Sequence, residues 1–230
     1  MTRVAIIPAR GGSKRIPHKN IKEFLGHPML HWPIAAAKET HKFDRIVVST
    51  DDPDIADCAK AAGVEALMRP DDLSDDYTGV VPVIRHAMWT LPGVITTACL
   101  IYATAPFLRP EDLRRGLDAL EGADFALSVT SFPFPIQRAV GVTPENRLQM
   151  FYPEHEQTRS QDLPEAYHDA ALFAWGTRDA WFSDRSLFGA GTVPVPIPRH
   201  RVQDLDTAED WTRAEYMGRA LIEAGEITAP

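Results

Sequence analysis

Cysteine is scarce, with only Cys58 and Cys99 in 230 residues. One falls in a helical pattern and the other in a strand pattern, so both read as small buried hydrophobes rather than a disulfide framework. No apolar run approaches the ~18 consecutive residues needed to cross a bilayer, and the N-terminus shows no apolar leader. The sequence therefore predicts a cytoplasmic protein without a membrane partner. Positive charge is also short overall. A net charge of -8 argues against broad binding to nucleic acid or an anionic membrane. The chain lacks the glycine spacings of Walker loops and dinucleotide folds, which removes the main support for kinase, GTPase and dehydrogenase readings. It also lacks the His-Glu-x-x-His pair of zinc hydrolases and the Gly-x-Ser-x-Gly elbow of serine hydrolases.

What is present suits one sizeable core. Hydrophobic residues make up 44% and charged residues 24%, and nothing in the length demands a second domain, so residues 1–230 are read as one. The charge is unevenly placed. Residues 1–22 contain Arg3, Arg10, Lys14, Arg15, Lys19 and Lys22 with no acidic residue, whereas the remaining 18 basic residues are set against all 32 acidic ones. A small anionic ligand near the N-terminus would reconcile the two facts.

Val4 to Pro8 reads as a buried strand, and Gly11-Gly12-Ser13 with Pro17 turns it into a loop running to about Gly26. Pro28 suits the first turn of a helix through Lys38, Arg45 to Ser49 is a second strand, and Asp52-Pro53 supplies an N-cap and a first-turn proline. A strand at Glu65 to Met68 is followed by a helix whose Val83, Ile84, Ala87, Met88 and Leu91 share one face. Next come a strand near Ala98 to Tyr102, a helix opened by Pro110 with Leu113, Leu117 and Leu120 on one side, and a strand from Phe125 to Val129. Such alternation predicts an α/β fold whose mostly parallel sheet is covered on both faces, with ligands at the carboxyl ends of the strands. From about 132 to 167 the alternation lapses for longer than a simple connection, predicting an inserted lobe. Ala170 to Trp175 and Val193 to Ile197 resume strand character, and a last helix from Thr207 turns Trp211, Ala214, Met217 and Leu221 inward. Gly225 onwards is expected to fray.

The loop after the first strand reads Ile7-Pro8-Ala9-Arg10-Gly11-Gly12-Ser13-Lys14-Arg15-Ile16-Pro17-His18-Lys19-Asn20-Ile21. Adjacent glycines let backbone N–H groups turn toward a polyphosphate, and Arg10, Lys14, Arg15 and Lys19 neutralise it. The plain alternative, a basic surface turn, fits less well directly after a buried strand, where anion sites are expected. Together with Leu25-Gly26-His27-Pro28-Met29-Leu30 and Val48-Ser49-Thr50-Asp51-Asp52, this run resembles the acylneuraminate cytidylyltransferases, the CMP-sialic acid synthetase family. The likeness covers nearly the whole chain. Ile101 to Phe107, Phe132 to Arg138 and Thr158 to Asp169 are most similar to the members that activate pseudaminic acid.

That resemblance implies a three-layer α/β/α Rossmann-like nucleotidyltransferase fold and a reaction that joins CMP from CTP to the anomeric 2-hydroxyl of an acidic nine-carbon sugar. It implies that Ala9, Arg10, Gly11, Gly12, Ser13, Lys14 and Lys19 form the nucleotide loop, with Asn20 and Arg69 near the cytidine. Two departures stand out. Many sialic acid enzymes have Gln-Pro-Thr-Ser-Pro where this chain has Tyr102-Ala103-Thr104-Ala105-Pro106, and Asn-Gly where it has Asp169-Ala170. Gln203-Asp204-Leu205-Asp206 places two carboxylates on one side of an extended segment, a set suited to Mg2+ with phosphate oxygens completing its shell. Spacing alone leaves a helix cap by Asp206 or Thr207 equally open; the family's Asp-x-Asp before its last helix favours the metal.

The sugar's carboxylate calls for an arginine able to make paired hydrogen bonds. The candidates are Arg159, which the resemblance also places beside the leaving pyrophosphate, and Arg138. Catalytic roles fall to Arg10, Lys14 and Arg159, and Tyr167 and Phe173 are expected as an apolar wall against acetamido groups. A homodimer through the lobe is implied by the family alone. Two rivals remain open on sequence: the same transfer to N-acetylneuraminic, legionaminic or 3-deoxy-octulosonic acid, and a nucleotide-binding regulator without catalysis.

Overall fold

The computed structural model describes residues 2–75 and 77–230. Its strands, in chain order, are β1 (Thr2–Pro8), β2 (Glu23–Phe24), β3 (His27–Pro28), β4 (Arg45–Thr50), β5 (Glu65–Met68), β6 (Ile95–Ile101), β7 (Phe125–Ser131), β8 (Val140–Val142), β9 (Leu148–Met150), β10 (Tyr167–Thr177) and β11 (Thr192–Pro196). The helices are α1 (His31–Glu39), α2 (Pro53–Ala61), α3 (Val80–Thr90), α4 (Pro110–Ala119), α5 (Arg178–Trp181) and α6 (Ala208–Glu223).

Seven strands form one sheet in the order β11-β7-β10-β6-β1-β4-β5. All neighbours pair in parallel except β10, which runs antiparallel to both β6 and β7. Alternation along β1 divides the core: Ala5 and Ile7 join the cluster that includes Leu30 at the cap of α1, Ile34 of α1, Ile55 of α2 and Leu113 of α4. Val4 and Ile6 face the opposite cluster with Ile84 and Met88 of α3 and Trp181 of α5. This is the three-layer arrangement that continuously apolar strands require. A third cluster packs Trp211 and Ala214 of α6 against Phe24, Trp32, Phe107 and Leu205.

Two expectations are corrected. Pro28 does not open a helix. Leu25 and Gly26 both adopt positive φ, of 50° and 87°, and fold residues 23–28 into the small β2-β3 hairpin; α1 then begins at His31 with Pro33 in its first turn. The chain after Gly225 is held as far as Ile227 rather than frayed from Gly225. Glu226 and Ile227 donate backbone hydrogen bonds to the Leu221 carbonyl, Ile227 is buried in the third cluster, and Glu226 pairs with His200 at 3.0 Å. Burial of that apolar side chain holds the tail down.

Between β7 and β10 the chain leaves the main sheet and forms the separate β8-β9 hairpin with short helical turns. Phe134, Val142, Leu148 and Phe151 of this segment are exposed.

Candidate active site

At the carboxyl end of β1, the Ala9 N–H donates to the Ser49 carbonyl at 2.9 Å and the Gly11 N–H donates to Asp51 Oδ1 at 3.0 Å. Asn20 is buried, and its Nδ2 donates to the Arg10 carbonyl at 2.9 Å, closing the loop on itself. Gly11 is required by close approach: a Cβ there would sit 2.4 Å from Asp52 Oδ2. Gly12 and Lys14 are exposed on the outer part of the loop.

This loop borders a cavity of about 290 Å³, lined by Arg10, Ser13, Arg15, Lys19, Asn20, Arg69, Gly79, Tyr102 and Asp206 among others. Arg10 is steadied by donating Nη1 to the Asp75 carbonyl at 3.0 Å. Arg69 is buried 3.6 Å from Asp51. Burial, the largest influence, lowers its pKa against the pull of Asp51, and its Nε lacks a hydrogen-bond partner among the described residues. A buried donor left unmade is costly, which suits a position that a polar ligand completes. The amino end of α3 also opens here, with Gly79 at the cap and, among the described residues, no side-chain cap hydrogen bond. Unsatisfied N–H groups and the helix dipole favour acceptors or negative charge at that point.

The structure brings the distant acidic pair to this basic loop. Leu205 is fully buried, so Asp204 and Asp206 flank an anchored residue. Asp206 Oδ1 accepts from Arg15 at 2.7 Å and lies 3.7 Å from Lys19, whose ammonium donates to the Leu205 carbonyl at 2.6 Å. Burial lowers the Lys19 pKa despite the neighbouring Asp206 and Asp204. Burial first, and the Asp206 charge second, raise that of Asp204. The segment is fixed from behind by the buried pair in which Arg201 donates to both carboxylate oxygens of Asp112, at 2.5 and 3.1 Å. Helix capping falls to Thr207, which makes a reciprocal capping box with Asp210. Asp206 is thus left for other work.

Among the described residues no group of three or more His, Cys, Asp or Glu is arranged to hold a metal ion. Asp204 and Asp206 nevertheless suit one: two hard carboxylates on either side of buried Leu205, of which Asp206 lines the cavity, match the preference of Mg2+ for one or two carboxylates plus phosphate oxygens. Their mutual repulsion is what a cation would relieve.

A second cavity, about 510 Å³, is lined by Thr130, Ser131, His168, Asp169, Arg199, Asp204 and Arg213 among others. Tyr102 links the two, because it lines the first cavity while its hydroxyl donates to Asp169 Oδ2 at 3.3 Å. The sugar-side expectations fare differently. Phe173 is fully buried among core residues, packed where Gly116 leaves room, and cannot form a pocket wall. Tyr167 is exposed and donates its hydroxyl to Glu165 at 2.7 Å. Arg159 is held by Asp162 at 2.6 and 3.1 Å, and Arg138 donates to Ser160 Oγ at 3.2 Å. Neither arginine lines either cavity. Sequence reasoning overlooked Asp169, Arg199, Arg213 and the α3 amino end. The departure at Asp169-Ala170 was the one signal that pointed to any of them.

Fold and site together define a nucleotidyltransferase, and residues 4–208 match the family model described as cytidylyltransferase; the chain belongs to that family. It is 39% identical to the pseudaminic acid cytidylyltransferase of Campylobacter jejuni, over 94% of this chain and 96% of that one. It is 32% identical to N-acylneuraminate cytidylyltransferase B of Danio rerio, over 94% of this chain and 53% of the relative. Among solved structures, CMP:2-keto-3-deoxy-manno-octonic acid synthetase complexed with CTP has the same fold, with a TM-score of 0.71 at 18% identity over 99% of this chain and all of the other. Among the described residues no helix is long and apolar enough to cross a membrane.

Proposed function

We propose that this protein joins CMP from CTP to the anomeric 2-hydroxyl of pseudaminic acid, releasing pyrophosphate. The observation that carries the reaction is the meeting of the basic loop with Asp206 at the first cavity, while Asp204, two residues away, lines the second. The choice of sugar is supported by the similarity to the Campylobacter jejuni enzyme along nearly its full length.

In this reading Arg69, Asn20 and the amino end of α3 bound the place of the cytidine and ribose, while Arg10, Ser13, Lys14 and Lys19 hold the triphosphate. Their positive charge stabilises the pyrophosphate as it leaves, and holding both reactants in adjoining cavities makes the attack of the sugar hydroxyl on the α-phosphorus effectively unimolecular. Mg2+ held by Asp204, Asp206 and phosphate oxygens would add charge neutralisation on the phosphates. No covalent intermediate on the protein is needed. Arg159 and Arg138, lying in the lobe outside both cavities, remain candidates for contact with substrate only if the lobe or a second chain brings them to it. A homodimer through the lobe is supported by its exposed Phe134, Val142, Leu148 and Phe151. The need for CTP supports a cytoplasmic location.

The test is a panel of acid sugars with CTP and Mg2+, read by pyrophosphate release. Preferential turnover of pseudaminic acid is expected. Preference for N-acetylneuraminic, legionaminic or 3-deoxy-octulosonic acid would replace the sugar, and CTP binding without turnover of any would replace the reaction.

A further inference from the structure

The second cavity has a polarity that the reaction alone does not explain. Asp169 and Asp204 line it together with Arg199 and Arg213, so it can receive a ligand with an acidic end and a hydrogen-bond-donating end. Arg199 is oriented by donating Nη1 to the Phe132 carbonyl at 3.2 Å. Asp169 is held more firmly, at the point where β10 loses its regular pairing with β7. Asp169 is opposite Val129, and the register then shifts before Ala174.

Ala171, inside that irregular stretch, has φ 51°, a left-handed conformation that a Cβ disfavours. Its N–H donates to Asp169 Oδ1 at 2.8 Å. The other carboxylate oxygen accepts from the Tyr102 hydroxyl. Burial, then the Asp169 charge, raise the Tyr102 pKa far beyond its ordinary value, so the hydroxyl stays a donor. Each Asp169 oxygen therefore has one partner among the described residues and keeps lone-pair capacity for a ligand. Such a group accepts hydrogen bonds and repels another carboxylate.

We propose that Asp169 positions the acceptor sugar and selects it by accepting from its hydroxyl or amide N–H groups, with Tyr102 as the positioning residue that fixes Asp169 relative to the nucleotide cavity. The sugar's carboxylate then faces Arg199 and Arg213, away from Asp169. This assignment rests on the acid-sugar reading above and goes beyond it by fixing the orientation of the acceptor and the residue that discriminates among sugars.

The experiment compares the full-length protein with Asp169→Asn and Tyr102→Phe, measuring KM for pseudaminic acid and for CTP by pyrophosphate release, and CTP affinity without sugar by calorimetry. Losing one charge-assisted hydrogen bond predicts a rise in sugar KM of about tenfold for Asp169→Asn with the CTP values unchanged, and a rise in sugar KM of about threefold for Tyr102→Phe. Sugar KM unchanged in Asp169→Asn, or sugar and CTP constants rising together, overturns the assignment. Should Asp169→Asn fail to fold, Tyr102→Phe carries the test on the sugar KM, and an unchanged sugar KM there overturns the assignment. A wild-type protein that turns over a different acid sugar replaces only pseudaminic acid, and the variants are read with that sugar; one that turns over none overturns the transfer reaction and this assignment with it.

Discussion

The two cavities are built in opposite ways. The first draws most of its charge from one uninterrupted run, Arg10 to Asn20, completed by Arg69 and the amino end of α3. The second is assembled from the end of β7, the start of β10, residues 199–204 and Arg213 of α6, none of which is a neighbour of another in sequence. A triphosphate can be met by a single loop leaving a buried strand, because backbone N–H groups and flexible cations suffice. A sugar with an acid group at one end and donors elsewhere needs side chains converging from several directions, which only tertiary structure supplies.

The two cavities share one support, residues 201–206, and breaking that support should produce the largest effect. Arg201→Ala removes the buried partner of Asp112 and leaves that carboxylate only the half-exposed Arg115 at 3.4 Å; removing one partner of a buried pair costs up to about 3–5 kcal/mol. Urea unfolding is expected to show that loss, with both CTP and sugar constants worsening together in whatever protein remains folded. An unfolding midpoint near that of the wild type would mean that the segment does not depend on the pair.

Effects on phosphate and metal binding come next. Lys14 and Asp204 are exposed, so their removal should spare the fold. We expect Lys14→Ala and Asp204→Ala each to lower kcat by about 10²–10³, with circular dichroism and melting temperature unaltered. Chelation of divalent ions should abolish wild-type turnover and added Mg2+ restore it, whereas Asp204→Ala should need much more Mg2+. Near-normal kcat in either variant removes that residue from the proposed machinery. A smaller effect is expected at Gly11→Ala, whose Cβ meets the Asp52 carboxylate. Displacement of the loop should cost about 1–3 kcal/mol and raise the KM for CTP, leaving the sugar KM alone.

These contrasts also explain what could be read from the chain before folding. The strands, the face of α3 and the Asp52 cap of α2 follow from local periodicity and turn chemistry, and they stand in the structure where expected. The meeting of Arg15 with Asp206, 191 positions apart, was accessible only through family likeness. Phe173 was misplaced because an aromatic in a strand gives no sign of which side meets a pocket. Its environment is set by Gly116 and Trp175. Pro28 misled because proline suits a turn or a strand edge as readily as a first helical turn, and the positive φ values of Leu25 and Gly26 decided the matter. The departure at Asp169-Ala170 marked the position, but a role for Asp169 could be proposed only with the bulge in β10 and the hydroxyl of Tyr102 beside it.

The smallest effect on folding should accompany a test of the lobe, and it sharpens the contrast between a region supported from within and one whose apolar groups face outward. Leu148 is 74% exposed on β9, so it contributes little to the chain's own core, and Leu148→Ser should change unfolding free energy by no more than about 0.5 kcal/mol. If Phe134, Val142, Leu148 and Phe151 pack against a second copy, the same substitution should still weaken self-association, because a hydroxyl would replace an apolar contact at the buried centre of the interface. Light scattering across a concentration series, beside a thermal melt, separates the two. A shift toward monomer at unchanged intrinsic stability supports a role between chains, while an unaltered mass across the series assigns these side chains to solvent and removes the support for a dimer built through the lobe.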